Sequence, residues 1–176
     1  MFLPAYIANM MPVFFATWRW LPKLDYPIDC GKKIGDQEIF GKHKTYRGFV
    51  AGILGGLGTS LLQFFLYYFF SQTRSLFLFP FSFDLVFTLE WGILLGFGAL
   101  AGDALKSFFK RRLRIPSGAP FFLFDQLDFV IGGLLAGSFI FVPSISHILI
   151  LLFITPLLHF FANIIGYKFG WKKVWW

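Results

Sequence analysis

Residues 100–133, LAGDALKSFFKRRLRIPSGAPFFLFDQLDFVIGG, decide how the chain is read. The stretch leaves one apolar segment, crosses a basic run between Lys106 and Arg114, and enters a second apolar segment that carries Asp125 and Asp128. Asp103 stands on the near side of the same basic run. Charges at the edge of hydrocarbon are costly unless they meet one another or an ion. The stretch therefore points both to a membrane-embedded chain and to the place where its chemistry gathers.

Composition agrees. Of 176 residues, 57% are hydrophobic and only 14% charged, against about 25% charged in soluble domains. A single integral membrane domain over residues 1–176 is expected. The net charge of +7 flanks apolar runs and builds no hydrophilic region, which fits a membrane surface and phosphate ligands and speaks against nucleic acid. The lone Cys30 excludes an intramolecular disulfide. The N-terminus lacks the basic start and small-residue cleavage site of a secretory signal and reads as a first membrane helix.

Five apolar segments follow, over residues 2–18, 48–70, 85–105, 121–142 and 145–167. The last four are long enough for a hydrocarbon core of about 30 Å at about 1.5 Å per residue. The first is interrupted by Pro4, Asn9 and Pro12 and is marginal. The fold class expected is an all-α integral membrane protein with five transmembrane helices and a cytoplasm-facing polar cup. Of the sixteen lysines and arginines, all but Arg74 fall between segments one and two, between three and four, or after five. With five spans those regions share one side. The positive-inside rule makes that side cytoplasmic, with the N-terminus outside and the C-terminus within, in the cell membrane.

Gly48, Gly52 and Gly56 share a helix face, as do Gly92 and Gly96; Gly98 with Gly102 and Gly133 with Gly137 repeat the spacing. Such faces let helices approach closely in lipid. Packing within the chain is the expected use, and a homodimer through these faces is the alternative.

Asp125 and Asp128 lie three apart and share a face; Asp103, Lys106, Ser107 and Lys110 form one polar stripe on the preceding helix. Antiparallel pairing brings the three acids to one depth. Two uses compete: salt bridges to Lys106, Lys110 and Arg111, or a divalent-cation site of hard oxygen ligands, with Mg²⁺ bridging to substrate phosphates. A second constellation is YPIDCGKKIGDQEIFGKHKTYRG, residues 26–48. Its glycines free the backbone for an anion, and Lys42, Lys44, Thr45 and Arg47 supply donors, while Asp29 and Asp36 are more than a topological loop needs. It does not match a Walker motif. His43 is read as solvated and His147 as an interface residue, while His159 and Asn163, four apart, are read as an inter-helix hydrogen-bond pair or a substrate contact. Glu90, 13 residues before Asp103, sits about 20 Å away along a helix, too far for the same metal.

Taken together, PIDCGK (27–32), IFGKHKTYRG (39–48), GDALKSFFKRR (102–112) and FDQLDFVIGG (124–133) resemble the CDP-archaeol synthases. These membrane cytidylyltransferases are related to the phosphatidate cytidylyltransferases. YIANMMPV (6–13) and LLHFFANIIGYKFGWK (157–172) extend the resemblance over nearly the whole chain. It implies five membrane helices and a reaction in which CTP and Mg²⁺ convert a lipid phosphate into a CDP-lipid with release of pyrophosphate. The lipid is 2,3-bis-O-geranylgeranylglyceryl phosphate, or unsaturated archaetidic acid. By resemblance, Asp29, Lys44, Thr45, Arg47, Ser107, Arg111 and Gln126 fall on substrate-binding positions, and Asp103, Asp125, Asp128 and Lys110 on catalytic ones, the three acids holding the metal. Two departures stand out: Cys30 replaces a second glycine of the pattern, and IGDQEIFG matches only loosely. Phosphatidate cytidylyltransfer is the neighbouring alternative, because apolar grooves read ether and ester chains alike. A transporter or assembly factor is disfavoured, since the charges gather at one surface and no internal repeat is visible.

Overall fold

The computed structural model describes residues 1–16, 21–70, 84–116 and 119–169. Arg19, Arg74, Lys172 and Lys173, which enter the orientation argument, lie outside the described residues.

The described chain is mostly helical. Helix α1 (Leu3–Ala16) contains Pro12 and is followed by a single 3-10 turn at Pro22–Leu24. A small hairpin, β1 (Lys33–Ile34) with β2 (Gln37–Glu38), pairs antiparallel in the register Lys33 to Glu38 and Ile34 to Gln37. Gly35, first of its two loop residues, has φ +62, as a type II′ hairpin requires. Then come α2 (Tyr46–Phe69), α3 (Leu85–Arg112), α4 (Phe124–Gly137) and α5 (Ile145–Lys168). The starts of α2 and α3 are set by side-chain caps: Thr45 accepts from Gly48 N at 3.2 Å and Asp84 from Phe87 N at 2.7 Å.

Among the described residues three helices are long and apolar enough to cross a membrane: α2, α3 and, over Ile145–Ile165, α5. Two segments differ from expectation. The fourth, expected to span over 121–142, yields an α4 of only 14 residues, about 21 Å at about 1.5 Å per residue. Its apolar flanks at 121–123 and 139–142 lie outside the helix, because apolarity reports contact with lipid or core and not helicity. The third runs to Arg112 instead of 105, so its 28 residues reach about 42 Å. The excess over a bilayer core is the turn or two that carries the basic run, and Lys110, Arg111 and Arg112 in the last turn oppose the negative end of the helix dipole.

Helices α1, α3 and α4 enclose the core of Phe2, Ala5, Ala8, Trp91, Leu95, Ala99, Phe129 and Val130. The glycine faces are spent within the chain. Gly56 lies against the backbone of Gly92 and Gly96, and a Cβ at Gly96 would stand 3.0 Å from Ile53 Cα, which closes α2 onto α3. A Cβ at Gly102 would strike the Asp128 carbonyl, and Gly98 meets Gly132 in the same way, which closes α3 onto α4. These faces are therefore not open to a homodimer. Helix α5 is peripheral, and Tyr6 of α1 hydrogen-bonds to its Thr155.

Candidate active site

Close backbone approach at Gly98, Gly102 and Gly132 brings the end of α3 level with the start of α4. Asp103, Asp125 and Asp128 then converge as the spacing predicts, and they converge on Lys106. Its Nζ lies 3.0 Å from Asp103 Oδ1, 3.2 Å from Asp125 Oδ1 and 2.7 Å from Asp128 Oδ2. Lys44 reaches in from the first loop to ion-pair with Asp103 Oδ2. Lys110 Nζ stands 3.4 Å from Asp125 Oδ1 and donates to the Ala119 carbonyl. Three carboxylates and three ammonium groups thus share one balanced cluster. Ser107 contributes differently, since its hydroxyl donates to the Asp103 carbonyl at 2.9 Å within α3.

The cluster is well enclosed. The Asp128 side chain is 4% exposed and that of Lys106 14%, so the charges are neutralised by one another instead of by water. Asp128 Oδ1 accepts from Phe129 N at 2.6 Å. Its Oδ2 is buried and held by the Lys106 ammonium at 2.7 Å. Asp125 Oδ2 accepts from Phe121 N at 2.6 Å. That bond ties down the turn in which Leu123 takes φ +64, a conformation unusual for a side chain of this kind.

Two cavities are lined in part by the loop segment 41–44. The smaller, about 150 Å³, is lined by Phe40, Gly41, His43, Lys44, Lys106, Ser107, Lys110 and Arg111. Its charged lining residues are all basic, and through Lys44, Lys106 and Lys110 it borders the acid cluster. Arg111 Nε is buried there without a hydrogen-bond partner. The larger, about 750 Å³, is lined by Asp25, Asp29, Lys33, Lys42, His43, Thr45 and Arg47 together with Pro12 and Phe15 of α1. That volume lies within the range of about 300–1,000 Å³ typical of ligand sites. His43 faces both cavities, although its sequence context alone reads as a solvated loop histidine.

Other expected ligands are already engaged. Asp29 accepts from Gly31 N and Phe40 N at 3.0 Å and from Gly41 N at 3.4 Å, which folds the loop around its carboxylate. Cys30, where the family pattern has glycine, takes φ +55 in that turn; the pattern's glycine answers to this backbone conformation. Thr45 is the α2 cap. Arg47 pairs with Asp25 at 3.0 Å and still lines the larger cavity. Gln126 is half-buried in the first turn of α4, off the face shared by Asp125 and Asp128. His159 Nδ1 and Asn163 Nδ2 lie 3.3 Å apart within α5, so the two residues are paired along one helix face. His147 pairs with Ser144 Oγ at 2.5 Å beside the start of α5, and Glu90 is exposed.

Two residues carry less weight in the sequence than in the structure. Lys106 belongs to the polar stripe, three residues from Asp103, yet nothing local marks it as the hub. Arg112 donates to the carbonyls of Ile34, Gln37 and Glu38 at 3.0, 3.3 and 2.7 Å and stacks 5.3 Å from the Phe108 ring. It holds the hairpin against α3 across more than seventy residues of chain.

A family model for CarS-like CDP-archaeol synthases matches residues 1–176. The chain belongs to the CDP-archaeol synthase family. A CDP-archaeol synthase of Methanospirillum hungatei is 42% identical over 99% of both chains. One of Thermococcus gammatolerans is 40% identical over 99% of this chain and 92% of its own, and one of Pyrococcus horikoshii is 39% identical over the same shares. A solved structure of an intramembrane enzyme for archaeal membrane lipid biosynthesis superposes with a TM-score of 0.70 at 30% identity, covering 92% of this chain and 89% of that one. This family member is thus an enzyme of the CTP-dependent nucleotidyltransferase class, acts in membrane lipid biosynthesis, and is a membrane protein.

Proposed function

We propose that the chain makes CDP-archaeol at the cluster of Asp103, Asp125, Asp128, Lys44, Lys106 and Lys110. The observation that carries this is the juxtaposition of three converging carboxylates with a basic cavity of about 150 Å³. A phosphoryl-transfer centre needs both halves, since catalysis there is positioning and charge neutralisation more than covalent chemistry. The lipid phosphate of unsaturated archaetidic acid attacks the α-phosphorus of CTP in line, a new P–O bond forms, and pyrophosphate departs. The attacking oxygen is an anion at neutral pH, so no general base is needed. Lys44, Lys110 and Arg111 hold phosphate oxygens at the smaller cavity, Lys as a point charge and Arg through its planar fork. Asp29 and Thr45 act one step back, by fixing the loop that presents Lys44 and His43.

The acids suit a hard divalent cation. Oxygens of Asp103, Asp125 and Asp128 all lie within 3.2 Å of one cationic centre, the Lys106 ammonium. Among the described residues they do not close into a ligand cage, because Lys106 stands between them. Mg²⁺ held by these three acids would offset charge on the triphosphate and the leaving pyrophosphate.

The distribution of basic residues supports a five-span arrangement in the cell membrane, with α4 and its apolar flanks as the fourth span, the N-terminus outside, and the C-terminus and site cytoplasmic. A homodimer through the glycine faces has no place in it, since those faces pack within the chain. The test of substrate is the release of pyrophosphate by purified protein in detergent with CTP and Mg²⁺. Unsaturated archaetidic acid is expected to be the preferred acceptor over phosphatidic acid. Preference for phosphatidic acid would replace this reading with CDP-diacylglycerol synthesis, and no release with either would refute cytidylyl transfer.

A further inference from the structure

Lys106 satisfies two environments at once. Its ammonium touches all three acids, and its side chain also lines the basic cavity beside Lys44, Lys110 and Arg111. A lysine stem has enough rotatable bonds to move its charge between adjacent sites without moving the helix. We propose that Lys106 is an exchangeable counter-ion: it neutralises the carboxylates when no metal is bound and passes to the substrate's phosphates when one is, so that metal and polyphosphate bind cooperatively. This rests on the reading of Asp103, Asp125 and Asp128 as the metal-holding set.

Three acids side by side, Asp128 buried and Asp103 and Asp125 half-buried, cannot be left without a cation. A divalent ion arriving alone must expel Lys106 into a cavity already crowded with positive groups, so it binds weakly. An anion arriving alone meets Lys44, Lys110 and Arg111 while Lys106 remains engaged elsewhere. Arriving together, the metal takes the acids and the polyphosphate receives the released ammonium. Each ligand then strengthens the other by the same factor, as linkage requires. Removing the lysine's charge should make the acids bind metal better by themselves and should weaken the coupling.

The experiment is equilibrium dialysis of purified protein against Mn²⁺, with and without inorganic tripolyphosphate, on wild type, Lys106→Met and Lys106→Gln. In wild type, tripolyphosphate is expected to tighten Mn²⁺ binding by about tenfold or more, within the usual span of coupling. In both variants Mn²⁺ alone should bind more tightly than in wild type, with the enhancement by tripolyphosphate at least about fivefold smaller. Both variants should lose thermal stability in EDTA and regain it in Mn²⁺. Equal Mn²⁺ affinity in wild type and variants, with or without tripolyphosphate, overturns the exchange while leaving the metal site standing. Absence of Mn²⁺ binding from wild type and variants alike under every condition overturns the metal reading itself, and the exchange with it. Variants that aggregate in Mn²⁺ as readily as in EDTA also overturn the proposal, because the metal then fails to replace the lysine.

Discussion

The acid–lysine cluster and the first loop carry similar residues and hold them in opposite ways. In the cluster, side chains meet side chains: Lys106 bridges Asp103, Asp125 and Asp128, and the backbone is kept in register by glycines at 98, 102 and 132. In the loop, side chains meet backbone: Asp29 gathers three N–H groups, Thr45 caps α2 and Arg112 grips three carbonyls. The first arrangement is rearrangeable under the proposed function, in which its ion pairs are exchanged for a metal and a phosphate. The second is committed, since breaking it leaves backbone groups unpaired. Lys44 joins the two, anchored in the committed loop and paired with Asp103.

Changes to the cluster should remove chemistry at constant fold. Asp103→Asn and Asp125→Asn keep shape but remove charge that a hard cation needs. Turnover should fall by orders of magnitude while size-exclusion profiles in detergent stay unchanged. If these acids served only as salt-bridge partners, stability would suffer more than turnover.

Lys44→Ala cuts the link between the two regions, and Arg47→Ala removes a cation from the larger cavity. A charge-assisted hydrogen bond is worth roughly 1.5–3 kcal/mol, so kcat/KM for CTP or lipid phosphate should drop by about 10- to 150-fold. Wild-type kinetics in both variants would reduce the loop to a topological element.

Changes to the committed region should alter order before chemistry. Arg112→Gln keeps a donor but loses the guanidinium fork, so the hairpin should become more susceptible to proteolysis between residues 31 and 41. The accompanying rise in KM is expected to stay within about tenfold, or about 1.4 kcal/mol, because Arg112 holds the hairpin and lines neither cavity. Glu90→Gln, about 20 Å from Asp103 along α3, should leave turnover close to wild type, and a large loss there would move the site.

The same contrast marks what the sequence could show. Helices α2, α3 and α5 were legible from long apolar runs, and convergence of the acids followed from the i, i+3 spacing of Asp125 and Asp128 and the stripe below Asp103. The early end of α4 was not legible, because residues 139–142 remain as apolar as the helix before them. Nor was the hairpin: its two-residue strands have no periodicity, and Arg112, which holds them, lies far along the chain. Asp29 falls on a substrate-binding position by resemblance, and the three N–H groups that its carboxylate gathers are not visible in a sequence. The hub role of Lys106 needed α3 and α4 to be packed before its three partners could be seen.

The most direct test of the central claim is transfer of radiolabelled CMP from α-labelled CTP into lipid by wild type and Asp128→Asn, with Mg²⁺ and unsaturated archaetidic acid, on protein shown to be monodisperse. Asp128 is the most enclosed acid of the cluster, and its Oδ2 makes the shortest of the three Lys106 contacts at 2.7 Å. The account predicts labelled CDP-lipid and matching pyrophosphate from wild type, and a loss of orders of magnitude in the variant, partly recovered by raised Mg²⁺ or Mn²⁺. Robust, Mg²⁺-dependent transfer by folded Asp128→Asn would contradict it.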